Sequence, residues 1–171
     1  RRHVVALAGA RRALDADELR LIVAQAHARD RKTFAHCSGV AGLETAVAAG
    51  VHSIEHGYFM TRDILGRMAD KRIAWVPTFS PVHFQRAAPR HAGWDAATVN
   101  NLSRLLDDHA EQVRHAHALG VAVLAGSDAG SPGVDHGAGL IDELLHLAQA
   151  GLPMRALLQA ATSLPRSLWN M

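Results

Sequence analysis

Three short apolar runs recur along the chain, and each ends on a polar residue with glycine one to three positions further on. The runs cover residues 32–36, 51–56 and 121–128, and they end on His36, His56 and Asp128. Their length and the nearby glycines predict buried parallel strands, each followed by a helix. Because the carboxyl ends of the strands of an α/β barrel lie on one face, we expect these three side chains to converge.

The rest of the chain continues the alternation of strands and helices. Residues 4–7 and 73–79 are further strand candidates, the first of them the weakest, and Pro77 is expected near a strand end because it cannot donate to a ladder. A helix is expected from a capping box at Asp15 to about residue 29, and another is expected after Thr61, with Ile64, Leu65 and Met68 on its buried side. Further helices are expected over residues 43–49, 96–119 and 140–150, and from about residue 153. Residues 80–93 show no clear period and are expected to form an active-site loop or lid.

This alternation predicts an α/β fold with a parallel sheet or barrel. A closed (β/α)8 barrel has eight strands and about 250 residues, whereas this chain has 171 residues and five strand candidates. We therefore expect residues 1–171 to form one partial domain, the C-terminal half of a TIM-type barrel. Its strands would be numbers five to eight, with residues 4–7 as a candidate for strand four.

Composition narrows the function classes. The hydrophobic share is 49%, the net charge is +2, and the basic residues are scattered, which disfavours nucleic-acid binding. The sequence has no apolar run near the ~20 residues of a membrane helix, so no membrane partner is expected. The single Cys37 excludes an internal disulfide and favours a reducing, cytoplasmic location, and a buried structural thiol is expected there.

Metal binding is the chemistry that these strand ends favour. Neutral imidazoles at His36 and His56 suit zinc-like ions, and Asp128 offers either a ligand or a base. The alternative for each histidine is a hydrogen-bonded residue at a strand end. His115 and His117 have a chelating spacing on a strand, but inside a predicted helix they point to different sides and are expected to be surface residues.

Several short motifs occur in a fixed order along the chain. They are Ala-His at 35–36, Ser-Ile-Glu-His-Gly at 53–57, Val-Pro-Thr-Phe at 76–79, Gly-Ser-Asp-Ala-Gly at 126–130 and Ala-Ala-Thr-Ser at 160–163. Together they resemble the C-terminal part of the amidohydrolase superfamily, especially its imidazolonepropionase-like and Xaa-Pro dipeptidase (prolidase-like) branch. The resemblance implies a metal-dependent hydrolase on a distorted TIM barrel. It implies water activated by a divalent metal, one or two ions and zinc by preference, and attack on a C–N bond of a small dipeptide or cyclic amide.

The resemblance also assigns roles. His36 and His56 correspond to the ligands of one metal ion, while Asp128 corresponds to a ligand of the other ion and to the proton shuttle. The family's first His-x-His and its bridging lysine have no counterpart in this sequence. The 171 residues alone are therefore expected to be inactive. The alternatives are a non-catalytic half-barrel that associates with itself or another chain, or hydrolysis of a phosphoester or lactone.

Two further residues are candidates for substrate binding. Tyr58 directly follows the His-Gly pair and could reach a substrate carboxylate or carbonyl, with a structural tyrosine at the rim as the alternative. His136 lies in the glycine-rich loop after Asp128, where the family often places a pocket residue. Glu55 should face away from His56 because side chains alternate along a strand, so a structural role is expected for it.

Overall fold

The computed structural model describes residues 4–7 and 14–170. Within these residues, parallel strands form a four-stranded sheet in the order β1-β2-β3-β4. The strands are β1 (Val4–Leu7), β2 (Thr33–Cys37), β3 (Ser53–His56) and β4 (Ala74–Val76). Each strand pairs with the next one along the chain, and one helix lies in every connection, as parallel pairing requires. The predicted parallel α/β arrangement is confirmed, and the weakest strand candidate is part of it.

The expected helices are present with small shifts at their ends, two unexpected helices follow β4, and the last expected helix is divided in two. They are α1 (Ala16–His27), α2 (Val40–Ala49), α3 (Arg62–Lys71), α4 (Ser80–Ala87), α5 (Pro89–Ala92), α6 (Ala96–Ala118), α7 (Ala138–Gln149), α8 (Met154–Ala161) and α9 (Ser163–Trp169). The pair His115 and His117 lies in the last turn of α6, as predicted.

Local signals set the helix boundaries. The Asp15 carboxylate accepts a hydrogen bond from the Glu18 backbone N–H at 2.8 Å, and the Glu18 carboxylate accepts one from the Asp15 N–H at 3.1 Å. This reciprocal pair is the predicted capping box. Thr61 caps α3, and Gly50 ends α2 with a φ of +80°, where glycine adopts a left-handed conformation at no steric cost.

The main core lies between one face of the sheet and helices α1, α2, α3, α6, α7 and α8. The predicted buried side of α3 is confirmed, because Ile64, Leu65 and Met68 are fully buried. A smaller cluster gathers Ala74, Val76 and Leu124 with leucines of α9. Trp75 alternates with Ala74 and Val76 along β4 and belongs to the main core, so β4 is buried on both faces, as is usual in parallel sheets.

Two sequence predictions are wrong in detail. Residues 121–128 do not form a strand and contact the sheet through one bridge, between Val123 and Trp75. The segment leaves the sheet because the Ala125 N–H donates to Ala160 of α8 instead of to a ladder. Residues 80–93 are not an irregular loop, because α4 and α5 occupy most of them. Both helices carry proline in the first turn, where its missing N–H costs no hydrogen bond.

The described sheet is open, and its membership of a closed barrel stays a prediction. Among residues 4–7 and 14–170, no helix has the length and apolar character to cross a lipid bilayer.

Candidate active site

The carboxyl ends of β2 and β3 bring two imidazoles together. The strand register pairs Cys37 with His56 and His36 with Glu55, so the two histidines sit one position apart on adjacent strands. His36 Nδ1 lies 3.0 Å from His56 Nε2, and the ring centroids are 5.1 Å apart. The predicted convergence of these two side chains is therefore present in the structure.

His56 is held in place from two directions. Its Nδ1 lies 2.8 Å from the hydroxyl of Thr78, which follows β4. The Trp75 indole N–H donates to the His56 carbonyl oxygen at 2.9 Å. A ligand histidine usually makes such a hydrogen bond with the ring nitrogen that does not bind the metal, because this fixes the orientation of the ring. His56 therefore presents Nε2 in a fixed direction.

An uncommon backbone conformation recurs around this pair. His56, Thr78 and Asp128 have φ values of +66°, +54° and +56°, in the left-handed region. A β-branched residue such as threonine is a genuine outlier there. Residues held in such conformations cost about 1–3 kcal/mol each and cluster at active sites and ligand clamps. The recurrence favours a functional interpretation of this cluster.

The charge of Asp128 acts on His56 and Glu55, at the end of β3. Burial lowers the pKa of His56, and the negative charge of Asp128 acts in the opposite direction. Burial also raises the pKa of Glu55 to about 6, against the hydrogen bond from Ser53, and Asp128 adds to the rise. The Ser131 hydroxyl donates to Asp128 Oδ2 at 2.8 Å. The carboxylate is thus held by its own loop, and its negative charge influences the end of β3.

Tyr58 is engaged with the protein itself. Its hydroxyl donates to the Thr78 carbonyl oxygen at 2.8 Å, and its ring stacks on His109 with centroids 4.3 Å apart. Burial raises the pKa of Tyr58, and the charges of Glu143 and Asp128 add to the rise. In this state the phenol is neutral and supports the chain around Thr78, while its contact with a substrate stays a prediction.

His136 lies on the loop that begins at Asp128. A Cβ built on Gly130 would lie 3.8 Å from His136 Nε2, so the imidazole covers the turn directly after Asp128. The side chain is exposed. This position is compatible with a ring at the rim of a pocket, and a substrate contact stays a prediction for it as well.

Comparisons with known proteins find similar sequences and folds, although no family model matches the chain. Ochratoxinase of Aspergillus niger is 28% identical over 153 residues, which cover 89% of this chain and 31% of that protein. Its crystal structure matches with a TM-score of 0.76 at 26% identity, over 94% of this chain and 37% of that one. A crystal structure of a Xaa-Pro dipeptidase with methionine bound in its active site matches with a TM-score of 0.78 at 24% identity, over 95% of this chain and 39% of that one.

An uncharacterized protein of Mycobacterium tuberculosis is 30% identical over 145 residues, which cover 85% of this chain and 39% of that protein. In sequence and fold, the chain resembles part of the proteins of the amidohydrolase superfamily. It spans between 31% and 39% of the length of the curated relatives that it matches.

The distance between the two histidines is close to that of two ligands of one metal ion, the kind of ion that the resemblance to the amidohydrolase superfamily implies. Two nitrogens bound to one tetrahedral zinc at about 2.0–2.1 Å lie about 3.3 Å from each other. The observed separation of 3.0 Å between His36 Nδ1 and His56 Nε2 is close to that value. Within the part of the chain that the structure describes, no group of three or more His, Cys, Asp or Glu side chains is arranged to hold an ion. Asp128 is near but does not complete such a group.

Two residues that support the candidate active site were not predicted from the sequence. Thr78 lies in the quoted Val-Pro-Thr-Phe motif, but no periodic signal reveals its contact with His56. Glu143 is fully buried in α7 and accepts hydrogen bonds from the Phe79 and Ser80 N–H groups at 2.9 Å each. The Ser80 hydroxyl donates to the same carboxylate at 2.8 Å. Glu143 therefore fixes the chain just after Thr78, and an acidic residue inside an apolar helix is the only sequence signal for it.

The remaining expectations concern Glu55 and Cys37. The Glu55 carboxylate accepts a hydrogen bond from Ser53 at 2.7 Å on the same strand, which agrees with a structural role. Cys37 is buried, and burial raises the pKa of its thiol to about 12, with the charge of Glu55 adding to the rise. The expected burial of this thiol is confirmed.

Proposed function

We propose that this chain supplies part of the active site of a metal-dependent hydrolase that cleaves C–N bonds. The observation that carries the proposal is the 3.0 Å approach of His36 Nδ1 to His56 Nε2 at adjacent strand ends, within electrostatic range of Asp128. The resemblance to the amidohydrolase superfamily supports the same reaction class.

His36 and His56 would hold a divalent ion, and Asp128 would lie against the same centre. Imidazole ligands favour zinc over the harder ions. When bound, such an ion lowers the pKa of its water to about 7 and polarises a carbonyl oxygen. Thr78 and Trp75 would keep His56 in its binding orientation through the hydrogen bonds described above.

Asp128 would move the proton. Its carboxylate would accept a proton from the water that attacks the amide carbonyl, and it would then deliver that proton to the departing nitrogen. The C–N bond breaks, a C–O bond forms, and the products are a carboxylic acid and an amine. The left-handed backbone at Asp128 and the bond from Ser131 support this role, because both hold the carboxylate in a local turn and not on a packed strand.

The proposed substrate is a small amide, either a dipeptide or a cyclic amide. The names of the solved relatives, ochratoxinase and Xaa-Pro dipeptidase, support a search among such compounds. Tyr58 and His136 are the residues proposed to contact it. Because the Tyr58 hydroxyl already donates to Thr78, its contact would use the ring or the remaining lone pair of the oxygen.

Metal analysis of purified variants tests the proposal. His36→Ala and His56→Ala should each weaken zinc affinity by about tenfold or more, measured by competition with a chelator. Because the 171 residues alone are expected to be inactive, turnover is compared in a longer protein that contains this segment. There Asp128→Asn should lower turnover of a dipeptide panel by about 100-fold or more while the protein retains most of its metal. His117→Ala is the matched control, because this histidine is exposed at the end of α6. Unchanged zinc affinity in both histidine variants would contradict the proposal.

A further inference from the structure

A cavity lies beside the candidate active site, between α6 and the segment that joins β3 to α3. Its volume is about 150 Å³, and its lining residues are Phe59, Met60, Leu105, Asp108, His109 and Gln112. It continues into a surface groove of about 400 Å³ that shares Phe59, Leu105 and Asp108 with it. None of the lining residues is a predicted metal ligand or a predicted substrate contact.

Two buried polar atoms of residues that line this cavity have no hydrogen-bond partner among residues 4–7 and 14–170. They are His109 Nδ1 and Gln112 Oε1, which lie one turn apart on α6. The His109 side chain is almost wholly buried, with 3% of the residue exposed. A buried polar atom without a partner costs about 1–3 kcal/mol, so such atoms call for a ligand or water.

Both atoms are hydrogen-bond acceptors. His109 Nε2 lies 3.0 Å from the Pro77 carbonyl oxygen, which can only accept, so Nε2 carries the proton. Burial lowers the pKa of His109 to about 4, which keeps the ring neutral and leaves a lone pair on Nδ1. Gln112 Oε1 is an acceptor by its nature. The Asp108 carboxylate adds further acceptors and a negative charge, and it forms no ion pair with any other described residue.

We propose that this cavity binds a small primary ammonium compound, whose –NH3⁺ group donates to His109 Nδ1, Gln112 Oε1 and the Asp108 carboxylate. An ammonium group has three donors and no acceptor, which complements a set made of acceptors. A water molecule would donate only two hydrogen bonds and carries no charge to pair with Asp108, which is exposed where the cavity opens into the groove. The short alkyl chain of the ligand lies against Phe59, Met60 and Leu105 and extends into the groove.

Calorimetric titration of the full chain with butylammonium chloride tests the proposal, at constant ionic strength. The neutral 1-butanol, which has the same chain length, should bind at least about tenfold more weakly, because it has one donor and no charge. Gln112→Leu should weaken butylammonium binding by about tenfold, and Asp108→Asn should weaken it by a similar factor. Gln159→Leu, on the exposed side of α8, is the control and should leave binding unchanged.

Several results would overturn the proposal. They are equal binding of butanol and butylammonium, unchanged affinity in Gln112→Leu, and ordered water alone in the cavity of a crystal grown with butylammonium. Circular dichroism would establish that each variant is folded before its affinity is compared. Because no metal ligand lines the cavity, failure here leaves the hydrolase proposal intact, and zinc analysis separates the two.

Discussion

The two sides of the candidate active site are built differently. His36 and His56 stand on paired strands of the sheet, and the hydrogen bonds of Thr78 and Trp75 fix the second ring and its backbone. Asp128 stands on a segment that contacts the sheet at one bridge, and its carboxylate is held by Ser131 of the same turn. The sheet thus fixes the histidine pair, whereas a local turn fixes the carboxylate.

This difference suits the two proposed tasks. A metal ligand needs a constant position, which a ladder of backbone hydrogen bonds and a buried indole provide. A group that accepts and releases a proton must serve two atoms in succession, and a side chain on a turn can adjust more readily than one on a packed strand. We therefore expect substitutions on the two sides to differ in their effect on stability.

The largest effect is expected at Trp75, which serves both sides. Its side chain is fully buried and holds the His56 carbonyl, while its backbone bonds to Ala122 and Leu124. Trp75→Ala should lower the free energy of unfolding by about 3–5 kcal/mol, measured by urea denaturation. Trp94→Ala is the control, because Trp94 is 42% exposed and its loss should cost far less. Equal losses in the two variants would remove Trp75 as the link between the two sides.

The sequence predicts the histidine side well and the aspartate side less well. The strands that carry His36 and His56 are short apolar runs, and each has a neighbouring strand on both sides. The apolar run and the glycine that follows it are enough to predict such a strand. Residues 121–128 show the same pattern, but they pair with β4 only at the bridge between Val123 and Trp75, and the next backbone bond goes from the Ala125 N–H to Ala160 of α8. A local pattern cannot reveal which partner a strand-like segment meets.

The contacts around the site depend on the tertiary structure in the same way. Thr78 reaches His56 across 22 residues, and Glu143 reaches Ser80 across 63. Contacts between residues this far apart in the chain leave no repeating pattern in the sequence from which they could be predicted. The capping residues Asp15 and Thr61 were predictable because their partners lie three positions away, where only local geometry matters.

A pH-dependent effect of intermediate size on stability is expected at His52, which directly precedes β3 at the end opposite to His56. His52 Nδ1 accepts from the Thr33 N–H at 3.1 Å, and burial lowers the pKa of His52 to about 4, with the charges of Lys32 and His27 adding to the shift. Its folded pKa lies below the unfolded value, so the unfolded state binds more protons between about pH 6.5 and 4. Stability should therefore fall as the pH falls through this window.

Urea denaturation of His52→Asn measures this effect. The amide cannot be protonated but can still accept from Thr33, so the slope of stability against pH should become shallower by up to about 1 kcal/mol per pH unit. Part of the slope should remain, because burial also lowers the pKa values of His83 and His109 to about 4. The exposed His117→Asn should not change it. An unchanged slope in His52→Asn would mean that the hydrogen bond from the Thr33 N–H to a neutral His52 does not contribute to the pH dependence of stability.

The smallest change in global stability is expected at Ser131, on the aspartate side. Ser131→Ala removes the hydrogen bond to Asp128 Oδ2, and an exposed hydrogen bond of this kind contributes about 0.5 kcal/mol or less. The effect should instead be local: the Gly130 and Val134 amides, which bond within the same turn, should exchange with deuterium faster. Amides of β2 and β3 should keep their protection. Ser103→Ala, which removes a hydroxyl bond within α6, is the control. Faster exchange in the strands as well would show that turn and ladder form one cooperative unit, and the contrast between the two sides would be wrong.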